Sequence, residues 1–226
     1  MSKIKTILFS CACFLLSWVV ILTTVDICSF DRSFYEKEYT EAHTAQDIGM
    51  SQEDLMLSTD ALLDYLKDER NDIVVEADIL GNHREVFNER ETKHMVDVKE
   101  LYQNAVMIRN YMAFCGVAFL MFGILLAKKE TLQYCRNGFK YGVSLTLLFV
   151  AMAAFYAVLD FTNFWFNFHR LFFHNDLWIL DPNTSIMINM FPENFFGDLV
   201  MKIIMITAGI LAACAVLLYL PRRKNA

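Results

Sequence analysis

Arg90-Glu91-Thr92-Lys93-His94-Met95-Val96-Asp97-Val98-Lys99 leads, a few residues on, into a predominantly apolar stretch from Ala105 to Ala127. No helix breaker intervenes from Glu89 to the end of that stretch, so one continuous helix is predicted. It begins charged and then becomes long and apolar enough to cross a bilayer, which takes about 20 residues. His94 would sit two or three turns above the apolar boundary. Three further stretches have the same character, giving spans at about residues 4–25, 105–127, 141–159 and 199–220. The fold class expected is therefore an all-α membrane protein with four transmembrane helices. The chain has 226 residues, of which 56% are hydrophobic and three are proline, and its apolar residues are clustered; that favours a bilayer over a large water-facing core.

Basic residues set the orientation. Lys3 and Lys5 precede the first span, Lys128, Lys129, Arg136 and Lys140 fill the link between the second and third, and Arg222, Arg223 and Lys224 follow the fourth. All three groups fall on one side, so both termini are expected in the cytoplasm. Residues 27–104 then form an extracytoplasmic cap between helices 1 and 2, and residues 160–198 an aromatic-rich extracytoplasmic loop. The first span reads as a retained anchor, because its apolar run exceeds that of a signal peptide and no clear cleavage site follows it. Leu8-Phe9-Ser10-Cys11 faintly imitates a lipoprotein cleavage box but lies too near the start of the chain. The six cysteines form no disulfide framework and no metal-binding spacing.

The cap is acidic, with 19 Asp and Glu against 8 Lys and Arg from Asp31 to Glu100. That balance argues against nucleic acid and against docking on anionic headgroups. Ser51-Gln52-Glu53-Asp54 reads as a helix start, and Leu55, Leu62, Leu63 and Leu66 recur near helical spacing, so residues 52–68 are predicted to be an amphipathic helix. Ile73-Val74-Val75 is β-prone but short, and Gly81-Asn82 marks a turn. The cap is thus mainly helical. The second outer segment is crowded with rings, from Phe161, Phe164 and Trp165 to Phe195 and Phe196. It holds more than an interfacial belt needs. Such a segment is expected to re-enter the membrane edge or to pack under the cap, making an aromatic-lined chamber.

Because spans two and three run down and back, His94 and His169 return to the same outer face. Imidazoles exchange protons near neutral pH, and two of them at a lipid–water boundary point to chemistry on a lipid. Asp97 lies three residues after His94, on the same helical face, and is placed to orient that ring by a hydrogen bond. The bland alternatives are an exposed helical histidine and an interfacial histidine packed among aromatics. His94, Asp97, His169, His174 and Asp176 have ligand-type side chains but no zinc-motif spacing, so no metal is expected. His43 and His83 read as surface residues. No nucleophile elbow, P-loop or dinucleotide fingerprint is present, so in an acyl transfer the nucleophile would come from the substrate.

Glu91-x-x-His94-Met95-x-Asp97-Val98-Lys99 before a span, Phe168-His169-x-x-Phe172-Phe173-x-Asn175-Asp176-x-Trp178-x-Leu180-x-Pro182 after one, and Ile188-x-Met190-Phe191-Pro192-Glu193-x-Phe195-Phe196 before the last together resemble the bacterial lipoprotein intramolecular transacylase family. The resemblance covers the whole chain. It implies an enzyme of the bacterial cell membrane whose partners are diacylated lipoproteins and membrane lipid, with no external cofactor. Such an enzyme moves the sn-2 acyl chain of the diacylglyceryl group onto the α-amine of the N-terminal cysteine, giving a lyso-form lipoprotein. The family's catalytic pair maps onto His94 and His169, with His174 as the competitor for the second place. His94, poised by Asp97, is expected to be the base, with His169 donating to the oxyanion or leaving oxygen. Arg170, Asn175, Asp176 and Trp178 are candidates for shaping the site or holding the substrate. Two alternatives remain at this stage: a metal-dependent membrane lipid hydrolase, which would lose activity to chelators, and a non-enzymatic sensor, in which the histidines only pack.

Overall fold

The computed structural model describes residues 2–220, so Arg222, Arg223 and Lys224 lie outside the described residues. Its helices are α1 (Ser2–Ser29), α2 (Arg32–Glu41), α3 (Thr44–Ile48), α4 (Gln52–Leu66), α5 (Glu89–Ala127), α6 (Thr131–Leu159), α7 (Phe161–Phe172), α8 (Ile186–Asn189) and α9 (Phe195–Tyr219). One hairpin pairs strands β1 (Glu76–Ile79) and β2 (Asn82–Glu85). The chain divides into two compact units. Of the described residues, one holds 2–26, 106–164 and 202–220; the other holds Ile27–Ala105 and Trp165–Met201.

The first unit is built of apolar helix. Among the described residues three helical stretches are long and apolar enough to cross a membrane: Ser2–Ser29, Glu89–Leu159 and Phe195–Tyr219. The sequence reading put two separate spans in the middle one. There α5 and α6 are joined by a single 3₁₀ turn at Lys128–Glu130, with Lys128 at a φ of 51°. Packing on α1 shows what that turn does. A Cβ on Gly123 would meet the Phe9 ring at 2.9 Å, and one on Gly138 would meet the Phe9 backbone carbonyl carbon at 2.6 Å. Fifteen residues of straight helix would separate those glycines by about 22 Å. Both reach Phe9 because the chain doubles back.

Gly142 continues the seam, where a Cβ would lie 2.5 Å from the Ser10 carbonyl oxygen. Small residues let helix backbones approach where no hydrophobic effect drives them together. A 2.6 Å contact between the Ser17 and Thr146 hydroxyls lies one turn further along. At the other end Lys5 pairs with Glu130 at 3.2 Å, and the Tyr219 hydroxyl donates to the Arg136 carbonyl at 2.9 Å. The start of α1, the α5–α6 turn and the end of α9 therefore share one end of this unit. Arg109 and Asp26 form an ion pair at 2.5 Å.

The second unit is a mixed, mainly helical layer. Asp31 caps α2 by accepting from the Ser33 amide at 3.1 Å. Ser51 caps α4 by accepting from the Asp54 amide at 3.0 Å, as its sequence position predicts. Leu55, Leu62 and Leu63 of that helix are buried. The hairpin begins just after the β-prone Ile73-Val74-Val75, turns through Leu80 and Gly81, both at positive φ, and buries Ala77 and Ile79. Within the aromatic-rich residues 160–198, α7, α8 and the first turn of α9 are helical and the rest is irregular. Asp160 ends α6 and caps α7, accepting from the Asn163 amide at 3.0 Å, and α8 and the start of α9 follow.

Candidate active site

A cavity of ≈ 480 Å³ lies within the second unit. That is the size of a small-molecule site. Its wall is built from the end of α1, α2, α4, α5, α7, the α7–α8 link, α8 and the start of α9, and both His94 and His169 line it. Most of the wall is apolar. An aromatic chain runs along it: Tyr39 packs on Phe195 at 6.4 Å between ring centres, Phe195 on Phe196 at 5.4 Å, Phe196 on Trp165 at 4.7 Å, and Trp165 on His169 at 4.8 Å. The Thr59 hydroxyl donates to the Leu55 carbonyl at 2.9 Å. Its single proton is thereby spent, so at 2.9 Å Tyr39 must donate to Thr59.

The two histidines meet across Phe173. Its ring lies 5.3 Å from that of His94 and 5.6 Å from that of His169. Both imidazoles are buried, at 8% exposure each. His169 Nδ1 lies 2.8 Å from the Trp165 carbonyl one turn earlier. A carbonyl only accepts, so Nδ1 carries the hydrogen, and Nε2 is left as the nitrogen that can take a proton. Trp178 stacks on the His169 ring at 4.8 Å and 29°. Burial holds His169 below the usual histidine range, with the Trp165 carbonyl opposing that shift. Burial also pushes His94 down, to about 4; His169 and Arg90 add to the effect and Asp97 opposes it. Both shifts favour the neutral ring.

Asp97 does not orient His94 by a hydrogen bond. His94 Nδ1 is buried without a hydrogen-bond partner among the described residues. The Asp97 carboxylate accepts instead from Asn175 Nδ2 at 2.8 Å. A neighbouring amide from the α7–α8 link satisfies it, and its influence on His94 is electrostatic only. The Asn175 Oδ1 atom accepts from the Leu177 amide at 3.0 Å. On the other side of His94, the Arg90 guanidinium donates to the Ile179 carbonyl at 3.2 Å and to the Asp176 carbonyl. Positions 90, 94 and 97 share one face of α5. The link carrying Phe173 and Trp178 is therefore pinned on both sides of His94.

Residues 10–196 match the model of the family described as lipoprotein intramolecular transacylase Lit. The chain belongs to this family. No curated protein matches the chain. Among solved structures, the membrane-integral lipoprotein intramolecular transacylase of Bacillus cereus has a TM-score of 0.76 at 17% identity, covering 96% of this chain and 95% of that one. Two structures of the same protein with one histidine replaced, by arginine or by alanine, each give a TM-score of 0.72 at 16% identity; each covers 96% of this chain, and 91% and 93% of the respective other. At such identity the likeness is one of fold. The chain is thus a helical membrane acyltransferase that modifies lipoproteins.

In this transacylase the sequence-picked residues do not all reach the cavity. His94, His169 and Trp178 line it. Asn175 and Asp97 hold the α7–α8 link. Asp176 contributes its backbone carbonyl rather than its carboxylate, and Arg170 and His174 are exposed. Among the described residues no three His, Cys, Asp or Glu side chains stand together as a metal site. Sequence reading missed Arg90, hidden in a charge run that reads as solvated helix. Glu91 stands in the quoted signature but was given no role there, although Asn88-x-x-Glu91 has the spacing of a capping box.

Proposed function

We propose that this transacylase carries the sn-2 acyl chain of a diacylglyceryl-modified lipoprotein to the α-amine of the N-terminal cysteine, using His94 and His169 to move protons. The observation that carries the reading is the pair of buried imidazoles facing one apolar cavity across the Phe173 ring. The amine nitrogen attacks the ester carbonyl carbon, and a tetrahedral oxyanion forms. The carbon–oxygen bond to glycerol breaks as the amide bond is completed. One proton leaves the amine and one arrives on the glyceryl oxygen, so the product is an isomer of the substrate.

His169 takes the first of these roles. Its Nδ1–H bond to Trp165 fixes the tautomer and favours the imidazolium, leaving Nε2 as the base. His94 is too weak a base to compete; with its hydrogen on the unpartnered Nδ1, the neutral ring can donate to the oxyanion, while the His169 imidazolium returns the amine's proton to the glyceryl oxygen. This reverses the roles that the His94–Asp97 spacing suggests. The apolar wall excludes water, which limits hydrolysis, and it holds the ester near the amine. Asp97, Asn175 and Trp178 maintain the wall, and the transfer needs no external cofactor.

We further propose that the middle helical stretch crosses the bilayer twice, giving four crossings, with both termini cytoplasmic and the site at the outer face. The contacts that gather Lys5, the α5–α6 turn and Tyr219 at one end of the first unit support this, as do the basic residues there. To test the chemistry, the chain is expressed in a bacterium whose lipoproteins keep free N-termini, and the released N-terminal lipopeptide is fragmented by tandem mass spectrometry. An acyl group on nitrogen with one left on glycerol is expected. His94→Ala and His169→Ala should each leave less than about 1% of turnover, the scale of general acid–base catalysis. Near-normal rearrangement in either variant overturns that residue's role.

A further inference from the structure

Glu91 lies one turn before His94 and is fully buried. A buried carboxylate is tolerable only when donors surround it. Both oxygens here are engaged. Oε2 accepts from the Asn88 backbone amide at 2.6 Å, while Asn88 Oδ1 accepts from the Glu91 amide at 3.0 Å, closing a capping box at the start of α5. Oε1 does something a capping box does not require. It accepts from the Ser185 hydroxyl at 2.5 Å and from the Met187 backbone amide at 2.8 Å. Met187 and Ile188 line the cavity.

We infer that Glu91 is a positioning residue for the acyl transfer: held by Asn88, Ser185 and Met187, its carboxylate fixes the α8 wall of the cavity against the turn of α5 that presents His94. This rests on the histidine reading above. Glu91 exchanges no proton with substrate. Its two oxygens are fully used, and it is not among the groups that set the protonation of His94. Misplacing a catalytic group by about 1 Å costs on the order of 100-fold in rate. A neutral amide in place of the carboxylate keeps the shape but turns one acceptor into a donor facing another donor.

The test uses the full-length protein in lipid with a synthetic diacylglyceryl lipopeptide bearing a free N-terminal cysteine. Glu91→Gln is expected to lower kcat by about 10- to 100-fold, with KM and the pH profile unchanged. Ser185→Ala, which removes one donor and cannot prevent the helix cap, is expected to lower kcat by a smaller factor. The double variant should be no slower than Glu91→Gln alone, because both act through one contact. Independent, multiplying losses overturn the inference, as does wild-type kcat in a folded Glu91→Gln protein. A shifted pH profile overturns it too, because Glu91 would then be a proton-transfer group. If Glu91→Gln does not fold, a wild-type kcat in Ser185→Ala is sufficient to overturn it. His94→Ala run alongside separates the two readings: activity surviving there condemns the histidine mechanism, whereas a dead His94→Ala beside a fully active Ser185→Ala and Glu91→Gln condemns only the Glu91 inference.

Discussion

His94 and His169 are equally buried, yet their ring nitrogens differ. One nitrogen of His169 is committed to a backbone carbonyl, while Nδ1 of His94 is partnered by nothing among the described residues. An unsatisfied buried polar atom costs roughly 1–3 kcal/mol, a cost tolerated where a ligand completes the bond. The depressed pKa has a consequence for stability. Because His94 falls to about 4 in the folded protein against 6.5 for an ordinary histidine, the unfolded chain binds the extra proton first as pH drops. Its contribution to stability is therefore full above about pH 6.5 and is lost as pH falls toward 4. Histidine NMR of the labelled protein should show one ring still neutral at pH 5.5 and titrating near 4. Its signal should be absent in His94→Phe. Asp97→Asn should move that midpoint lower and Arg90→Ala should move it higher, since the two charges oppose one another there. A midpoint at or above 6.5 in the parent protein would refute the desolvated environment.

At the scale of elements, the link between α7 and α8 sets the two rings in place. It presents Phe173 to both histidines and Trp178 to His169, and Arg90 and Asp97 of α5 hold it from either side of His94. Arg90→Ala should therefore lower kcat/KM by about tenfold, a loss of about 1.4 kcal/mol. Arg90→Lys should restore little, because an ammonium lacks the planar fork that serves two carbonyls. Full activity in Arg90→Ala, measured by the same lipopeptide assay, would mean that the link holds itself. These contacts were not legible in the sequence for a physical reason. Arg90 meets Asp176 and Ile179 from 86 and 89 residues away, and Glu91 meets Ser185 from 94. Local spacing carries no trace of such partners. The α4 start at Ser51 and the run of α5 from Glu89 were legible, because caps and apolar length act locally. The helix at Phe161–Phe172 went unread although its polar and apolar residues follow the helical period, because so many rings beside a span read as an interfacial belt; Ala77 and Ile79 give too short an alternation to announce a strand.

For the whole molecule, the decisive question is which side of the bilayer each end of the first unit faces. The structure ties the start of α1, the α5–α6 turn and the end of α9 together without reference to any membrane. Only the charges give that end a direction. Lys3, Lys5, Lys128, Lys129, Arg136 and Lys140 lie within a few residues of it, and a basic cluster is retained on the cytoplasmic side. The acidic chain from Asp31 to Glu100 carries no such retention signal, in keeping with the outside placement proposed for it. Alkaline phosphatase folds to an active form only outside the cytoplasm, so fusions report the side directly. A fusion after Leu80, in the exposed hairpin turn, should be active, whereas fusions after Lys129 and after the last residue should be inactive. Activity at both Leu80 and Lys129 would mean that α5 does not cross, and the four-crossing arrangement would fail even though the candidate cavity, contained in the second unit, remained intact. Activity at Lys129 and at the C-terminus with none at Leu80 would invert the protein. The proposed site would then face the cytoplasm, and the outer-face placement proposed above would fail.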